Sequence, residues 1–333
     1  MASSAKRTKS FKSNISVFSS INFNSLVRGM ISKSMISALI AMLLLISAAC
    51  AQESNTITTT DDLGRQVSIS SAPERIVSLS PSNTEILFAL GLGDQVVGVT
   101  KYCNYPSVVK DLKDSGKIAV VGGYVDPDFE KILSLRPDLV VASQTHGSGV
   151  VTLLDQQNIP VFVVDSNNLS DILRSIEKIG KITGKAAEAS ALTSQMQSRI
   201  KAVSDKVSSL PKLRVLYVVW HDPVQTAGSG TFEDEIIQTA GGENLFHDLS
   251  GYAQVDTEAI AVRDPEVIIA CTGMGEGADK PLQWAKAERG LDLTDARKND
   301  RIYQAQGDLI TRAGPRIVDG LEMFAKFIHP EAF

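Results

Sequence analysis

Apolar residues recur along this chain in two rhythms. Runs of Val and Ile at Arg75–Leu79, Val96–Thr100, Leu139–Ala142 and Val161–Val164 are short and lack clean polar alternation, which is the signature of strands buried on both faces. Segments with the three-and-four spacing of a helix separate them, at Pro81-Ser82-Asn83-Thr84-Glu85 onward, Asp128–Ser134 and Gly149–Gln157. Ser82 or Asn83 can cap the first of these helices, with Glu85 read as a first-turn acid favoured by the helix dipole. Before them, Ile57–Thr60 and Gln66–Ile69 flank Asp61-Asp62-Leu63-Gly64, a turn signal that predicts a hairpin. Beyond residue 211 the alternation begins again, with strands at Val215–Val219, Val267–Ala270 and Ile302–Ala305 and helices at Thr231–Thr239, Thr257–Val262 and Pro315–Phe327.

Between the two series lies one long amphipathic stretch, Lys185–Ser209, preceded by a helix at Asp171–Ile182. Its apolar residues Leu192, Met196, Ile200, Val203 and Val207 make a single stripe, and Gly184 and Pro211 punctuate its ends. An internal echo favours equivalent units on either side of it. Glu130 to Val141 and Glu258 to Ile269 share a helix, a Pro followed by an acid that stops the helix, and a buried strand. The predicted fold class is α/β, with two parallel-sheet lobes joined by one long helix and a ligand cleft between them. The expected boundaries are a first lobe at 57–168, connecting helices at 169–210 and a second lobe at 211–333.

Length and charge sharpen this picture. A chain of 333 residues exceeds what one core usually serves. Residues 1–49 carry six basic residues and no acid, so 27 bases face 38 acids in the remainder, which argues against a nucleic-acid partner. Lys33, the apolar run Met35–Ile46 and Ser47-Ala48-Ala49 before Cys50 have the layout of an export signal. Residues 1–50 are therefore read as a lipoprotein-type signal, with Cys50 acylated and 51–56 as a tether, the alternative being an uncleaved anchor; the folded part is expected to be exported, anchored on the outer face of the cytoplasmic membrane or else periplasmic. Cys103 and Cys271 remain, in different halves, and are expected to be thiols; no Cys-x-x-Cys spacing supports a metal site.

In sheets of this kind ligands bind beyond the carboxyl ends of the strands. Those ends carry Ser80, Pro81 and Asn83; Lys101, Tyr102 and Cys103; Tyr124; Ser143 and His146; Trp220 and His221; Thr272 and Met274; and Gln306 to Arg312. Aromatics with a few hydrogen-bonding groups suit a bulky, partly apolar small molecule. An enzyme would need more. His146 and His221 could act as bases, but no nucleophile stands at a recognisable spacing, and Gly228-Ser229-Gly230-Thr231 matches neither a nucleophile elbow nor a phosphate loop. A bare metal receptor would draw on His146, His221 and a cysteine, from only four histidines in all.

The segments Arg75–Glu85, Gly98-Val99-Thr100 with Tyr105-Pro106, Arg136–Val140, Ala240–Asn244 and Arg312-Ala313-Gly314-Pro315-Arg316, in that order, resemble the helical-backbone class of substrate-binding proteins of ABC importers. The likeness spans about 57 to 329 and is strongest to the cobalamin-binding members; iron-siderophore and haem binders share the class. It implies two α/β lobes on one long helix, no catalysis, no resident cofactor, and a monomer that passes a corrinoid or ferric chelate to a permease dimer with its ATPase subunits. It further implies that Tyr102, Tyr124, Trp220 and Tyr252 grip the ligand and that Asp308 and Arg312 make polar contacts to it. Ser143 and Leu309 stand where tryptophans would complete the cage. An exposed acid on each lobe would meet the permease: Glu130 on the first, and Glu233, Asp234 or Glu235 on the second. In the alternative, an iron-siderophore, haem or oxyanion receptor of the same fold, Arg312 and Arg316 would meet the ligand's anionic groups.

Overall fold

The computed structural model describes residues 56–333 apart from 274–278. The expected signal and tether, including Cys50, and the strand-end residue Met274 lie outside the described residues.

The first half opens with the hairpin β1 (Ile57–Thr60) and β2 (Gln66–Ile69). The Asp61 carboxylate accepts from the Leu63 and Arg65 N–H groups and pairs with the Arg65 guanidinium at 2.7 Å, which locks the turn. There follow β3 (Ile76–Ser78), α1 (Pro81–Ala89), β4 (Val96–Val99), α2 (Val108–Asp114), β5 (Ala119–Val120), α3 (Phe129–Ser134), β6 (Leu139–Ser143), α4 (Gly147–Asp155) and β7 (Val161–Val164). Five strands form a wholly parallel sheet in the order β5-β4-β3-β6-β7, and β3 and β7 are buried throughout. This is the outcome expected for Val- and Ile-rich runs without alternation, since helices cover both faces.

The connecting helices are α5 (Leu169–Ile182) and α6 (Ala186–Val207). At about 1.5 Å per residue, α6 spans roughly 33 Å. Its first half packs on α5, where a Cβ on Gly180 would stand 2.3 Å from the Ala189 Cβ, and Thr193 hydrogen-bonds Glu177. Its second half turns to the last helix of the chain, to which Arg199 donates at 2.8 Å (Glu322) and 2.6 Å (Asp319). The stripe of Met196, Val203 and Val207 is buried beneath these contacts.

The second half contains β8 (Leu213–His221), β9 (Val224–Ala227), α7 (Phe232–Thr239), β10 (Gly242–Asn244), β11 (Tyr252–Gln254), α8 (Thr257–Arg263), β12 (Val267–Thr272), α9 (Lys280–Ala287), α10 (Asp295–Lys298), β13 (Ile302–Gln306), α11 (Gly307–Ile310) and α12 (Ile317–Ile328). Its sheet runs β11-β9-β8-β12-β13, with β10 also on β8. The β8, β12 and β13 core is parallel, but β9 pairs antiparallel with both β8 and β11, so this sheet is mixed rather than parallel. A short return strand of three or four residues leaves no periodic trace, which is why the sequence pattern passes over β9 and β11.

The internal echo is structural, with a constant offset of 128 residues. Asp128 caps α3 by accepting from the Lys131 N–H, and Asp256 caps α8 by accepting from the Ala259 N–H. Arg136 and Asp264 each take a left-handed conformation, at φ 46° and 49°, before the stopping proline. Asp138 then accepts from the Glu74 and Arg75 N–H groups, and Glu266 from the Arg214 N–H, so each acid binds the edge of its lobe's leading strand. Cys103 and Cys271 are both buried and remain thiols. Among the described residues no helix is long and apolar enough to cross a membrane.

Candidate functional site

The strand ends of the two sheets face one cavity of about 750 Å³. Pro81, Ser82, Lys101, Tyr102, Asn104 and Tyr124 wall it from the first lobe, and Gly273, Asp308, Thr311 and Arg312 from the second. Tyr102 is half exposed, with the Lys101 ammonium 5.0 Å from its ring centroid. Tyr124 is braced from behind. Its hydroxyl lies 3.0 Å from both Ser143 Oγ and Thr145 Oγ1, and its ring stands edge-on to His146 at 5.2 Å.

Several residues expected at the ligand hold up the wall instead. Ser80 is buried because it caps α1, accepting from the Asn83 N–H at 3.1 Å; this replaces the expected cap at Ser82 or Asn83. Ser80 and Asn83 line a smaller, polar cavity of about 250 Å³ behind Tyr124, together with Asp165, Phe232 and Thr311. His146 is buried too, its Nδ1 2.9 Å from Ser143 Oγ, and burial holds its pKa below the usual imidazole value. It supports Tyr124 and does not face the larger cavity. Trp220 and His221 end β8 with their rings 4.8 Å apart, and the Trp220 indole N–H donates to the Asp222 carbonyl. These two and Tyr252 do not line the 750 Å³ cavity. Among the described residues, no group of three His, Cys, Asp or Glu side chains is placed to hold a metal ion.

Asn104, Asp308 and Arg312 of the cavity wall belong to an ion cluster that continues between the lobes. Arg312 donates to Glu85 Oε1 at 3.1 Å, to Asn104 Oδ1 at 2.6 Å and to Asp308 Oδ2 at 2.8 Å. Arg316 grips the same Glu85 carboxylate at 2.9 and 2.5 Å and lies 3.9 Å above the Tyr105 ring. Glu85 is thus no solvated first-turn acid: its side chain is 1% exposed and faces across to the other lobe. Arg312 and Arg316 are occupied as well, so neither is the open cation that an anionic ligand would require.

The docking acids expected on α7 are also corrected. Glu233 and Asp234 are 1% and 5% exposed. Glu233 accepts from the Tyr252 hydroxyl, Asp234 holds Asn244 and His247, and Glu235 accepts from the Leu169 N–H at 2.8 Å. An acid in the first turn of a helix faces solvent only if that turn does, and α7 begins inside the lobe contact beside Phe232. Glu130 is exposed, as expected, and the echo supplies its counterpart. Glu258, two residues beyond the Asp256 cap as Glu130 is beyond Asp128, is exposed on α8. The 128-residue offset was visible in the sequence and would have found it.

Residues 76–309 match the periplasmic binding protein family. The chain belongs to that family. An uncharacterized ABC transporter substrate-binding lipoprotein of Bacillus subtilis is 35% identical over 83% of this chain and 86% of its own. The vitamin B12-binding protein of Vibrio parahaemolyticus is 28% identical over 74% and 86%. A periplasmic haem-binding protein of Pseudomonas aeruginosa shares the fold at a TM-score of 0.68 and 26% identity, over 78% of this chain and 94% of that one. In this periplasmic binding protein, as in that architecture, the cleft lies between two α/β lobes on a single long helix.

Proposed function

We propose that this chain is the extracytoplasmic substrate-binding component of an ABC importer, that it carries no catalysis, and that its ligand is cobalamin or a related corrinoid. The observation that carries the choice of ligand is that both arginines at the cleft are taken up by acids of the protein itself. Glu85 and Asp308 pair with Arg312 and Arg316, which leaves the Lys101 ammonium, 5.0 Å from the Tyr102 ring centroid, as the lining charge that no acid among the described residues pairs. Cobalamin carries neutral amide arms around a flat macrocycle and a single phosphodiester, which one ammonium matches, whereas haem brings two carboxylates and ferric catecholates several negative charges, which call for more than one unpaired cation. Tyr102 and Tyr124 offer broad, low-entropy contact to such a ring, and on the family likeness Trp220 and Tyr252, outside the cavity lining, are further aromatic grips. The B12-binding relatives support the same reading.

On this reading the lobes are 57–168 and 211–333, hung on 169–210, and Cys50 tethers the monomer to the membrane, which similarity to a substrate-binding lipoprotein supports. Glu130 and Glu258 are the acids offered to the permease. Titrating the purified chain with cyanocobalamin, haem and a ferric catecholate, while following tryptophan fluorescence, tests the ligand. Saturation by cyanocobalamin and none by the anionic chelates is expected. Saturation by haem or the ferric chelate alone would overturn the corrinoid reading and leave the importer role standing.

A further inference from the structure

Glu233 is a buried acid of the second lobe that the proposed function does not use. It sits in the first turn of α7, yet its carboxylate turns inward. The groups that act on it from the elements around it are the phenols of Tyr252 on β11 and Tyr217 on β8 and the thiol of Cys271 on β12. None of these can be a cation. Its helix neighbours Asp234 and Glu235 are turned to other partners, Asn244 with His247 and the Leu169 N–H.

The Tyr252 hydroxyl donates to both Glu233 oxygens, at 3.1 and 3.3 Å, while the tyrosine as a whole is 57% exposed. A phenol pinned at its oxygen and open at its ring presents one fixed aromatic face. We propose that Glu233 is a positioning residue for ligand binding: it fixes the Tyr252 ring as a preset wall for the macrocycle and loosens that hold when it takes up a proton. This rests on the reading that Tyr252 touches the ligand.

The chemistry sets the direction. Ionised Glu233 accepts a charge-assisted bond, roughly twice as strong as a neutral one; protonated, it retains only the weaker acceptor. Burial pushes the Glu233 carboxyl up to about 6, so the change falls between about pH 5 and pH 7. Affinity should therefore rise with pH across that window, by about fivefold, which corresponds to no longer ordering one aromatic side chain on binding.

The test uses the full-length chain with cyanocobalamin as probe, at pH 5 and pH 8, in the wild type, Glu233→Gln, Tyr252→Phe and the double variant. Each single change is expected to weaken binding at pH 8 and to flatten the pH dependence, and the double variant to lose no more than either alone. An equal Glu233→Gln loss in the Tyr252→Phe background would overturn the proposal, because it would mean that Glu233 acts without Tyr252. A ligand-free measurement separates this from the identity of the cargo. With ring-labelled tyrosine, the Tyr252 signals should titrate with a midpoint near 6 in the wild type and not in Glu233→Gln. A Tyr252 signal that is flat from pH 5 to pH 8 sinks the proposal whether or not cobalamin binds.

Discussion

Glu85 shows how far one side chain's role can be from its local appearance. In sequence it follows a proline and two capping residues, and everything nearby reads it as a solvated acid at a helix start. Its partners lie 227 and 231 residues away, and such pairings leave no trace in spacing or composition. Tyr102, Tyr124, Asp308 and Arg312 were legible because each sits at a strand end or in a family-like segment. Whether a strand-end residue faces the cavity or braces it, as His146 and Ser80 do, depends on rotamers and packing that the sequence does not carry. Replacing Glu85 with Gln keeps the shape but leaves two poorly exposed guanidiniums without their shared counter-charge. Removing one partner of a buried ion pair costs about 3–5 kcal/mol. Urea denaturation of Glu85→Gln should show a loss of that order, with haem affinity raised relative to cyanocobalamin. Unchanged stability would mean that water or Asp308 takes over the pairing.

At the scale of elements, long periodic segments were the readable ones. The α6 stripe predicted 185–209 and the helix occupies Ala186–Val207. What the stripe cannot express is that α6 has two different seats. Leu192 and Met196 look alike in the pattern as Ile200 and Val203 do, yet the first half rests on α5 and the second on α12. The α5 seat depends on Gly180: a Cβ there would meet the Ala189 Cβ at 2.3 Å and the Lys185 carbonyl oxygen at 2.9 Å. The second obstacle is backbone, which cannot rotate away. Gly180→Ala is therefore expected to wedge α5 from α6 and to destabilise the protein by roughly 1–3 kcal/mol, the range for overpacking, even though alanine is the better helix former by about 1 kcal/mol. Thermal unfolding reads the sign. A stabilised variant would show that the two helices separate without strain.

For the molecule as a whole, the proposed importer role turns on the constant 128-residue offset. Two lobes that repeat the same cap, first-turn acid, left-handed stop and strand present Glu130 and Glu258 at matching places, one on each lobe. Both are exposed, on short helices whose N-termini Asp128 and Asp256 already cap, so neither acid is needed for its helix. A permease dimer offers its own two-fold pair of surfaces, and a pseudo-symmetric pair of acids meets it only if the lobes keep a set spacing. The Glu85–Arg312–Arg316 cluster and the rigid α6 hold that spacing in common. Reversing charge at Glu130 or Glu258 is expected to cut uptake in cells, and the double variant Glu130→Lys with Glu258→Lys to abolish it. Ligand affinity and melting temperature should stay at wild-type values, because surface substitutions of this kind change stability by only about 0.5 kcal/mol. The control is Glu243→Lys, another exposed acid of the second lobe that lies outside the repeat, which should transport normally. Uptake lost equally in the control would reduce the effect to net charge. Affinity lost together with uptake would place the two acids at the cleft rather than at the permease.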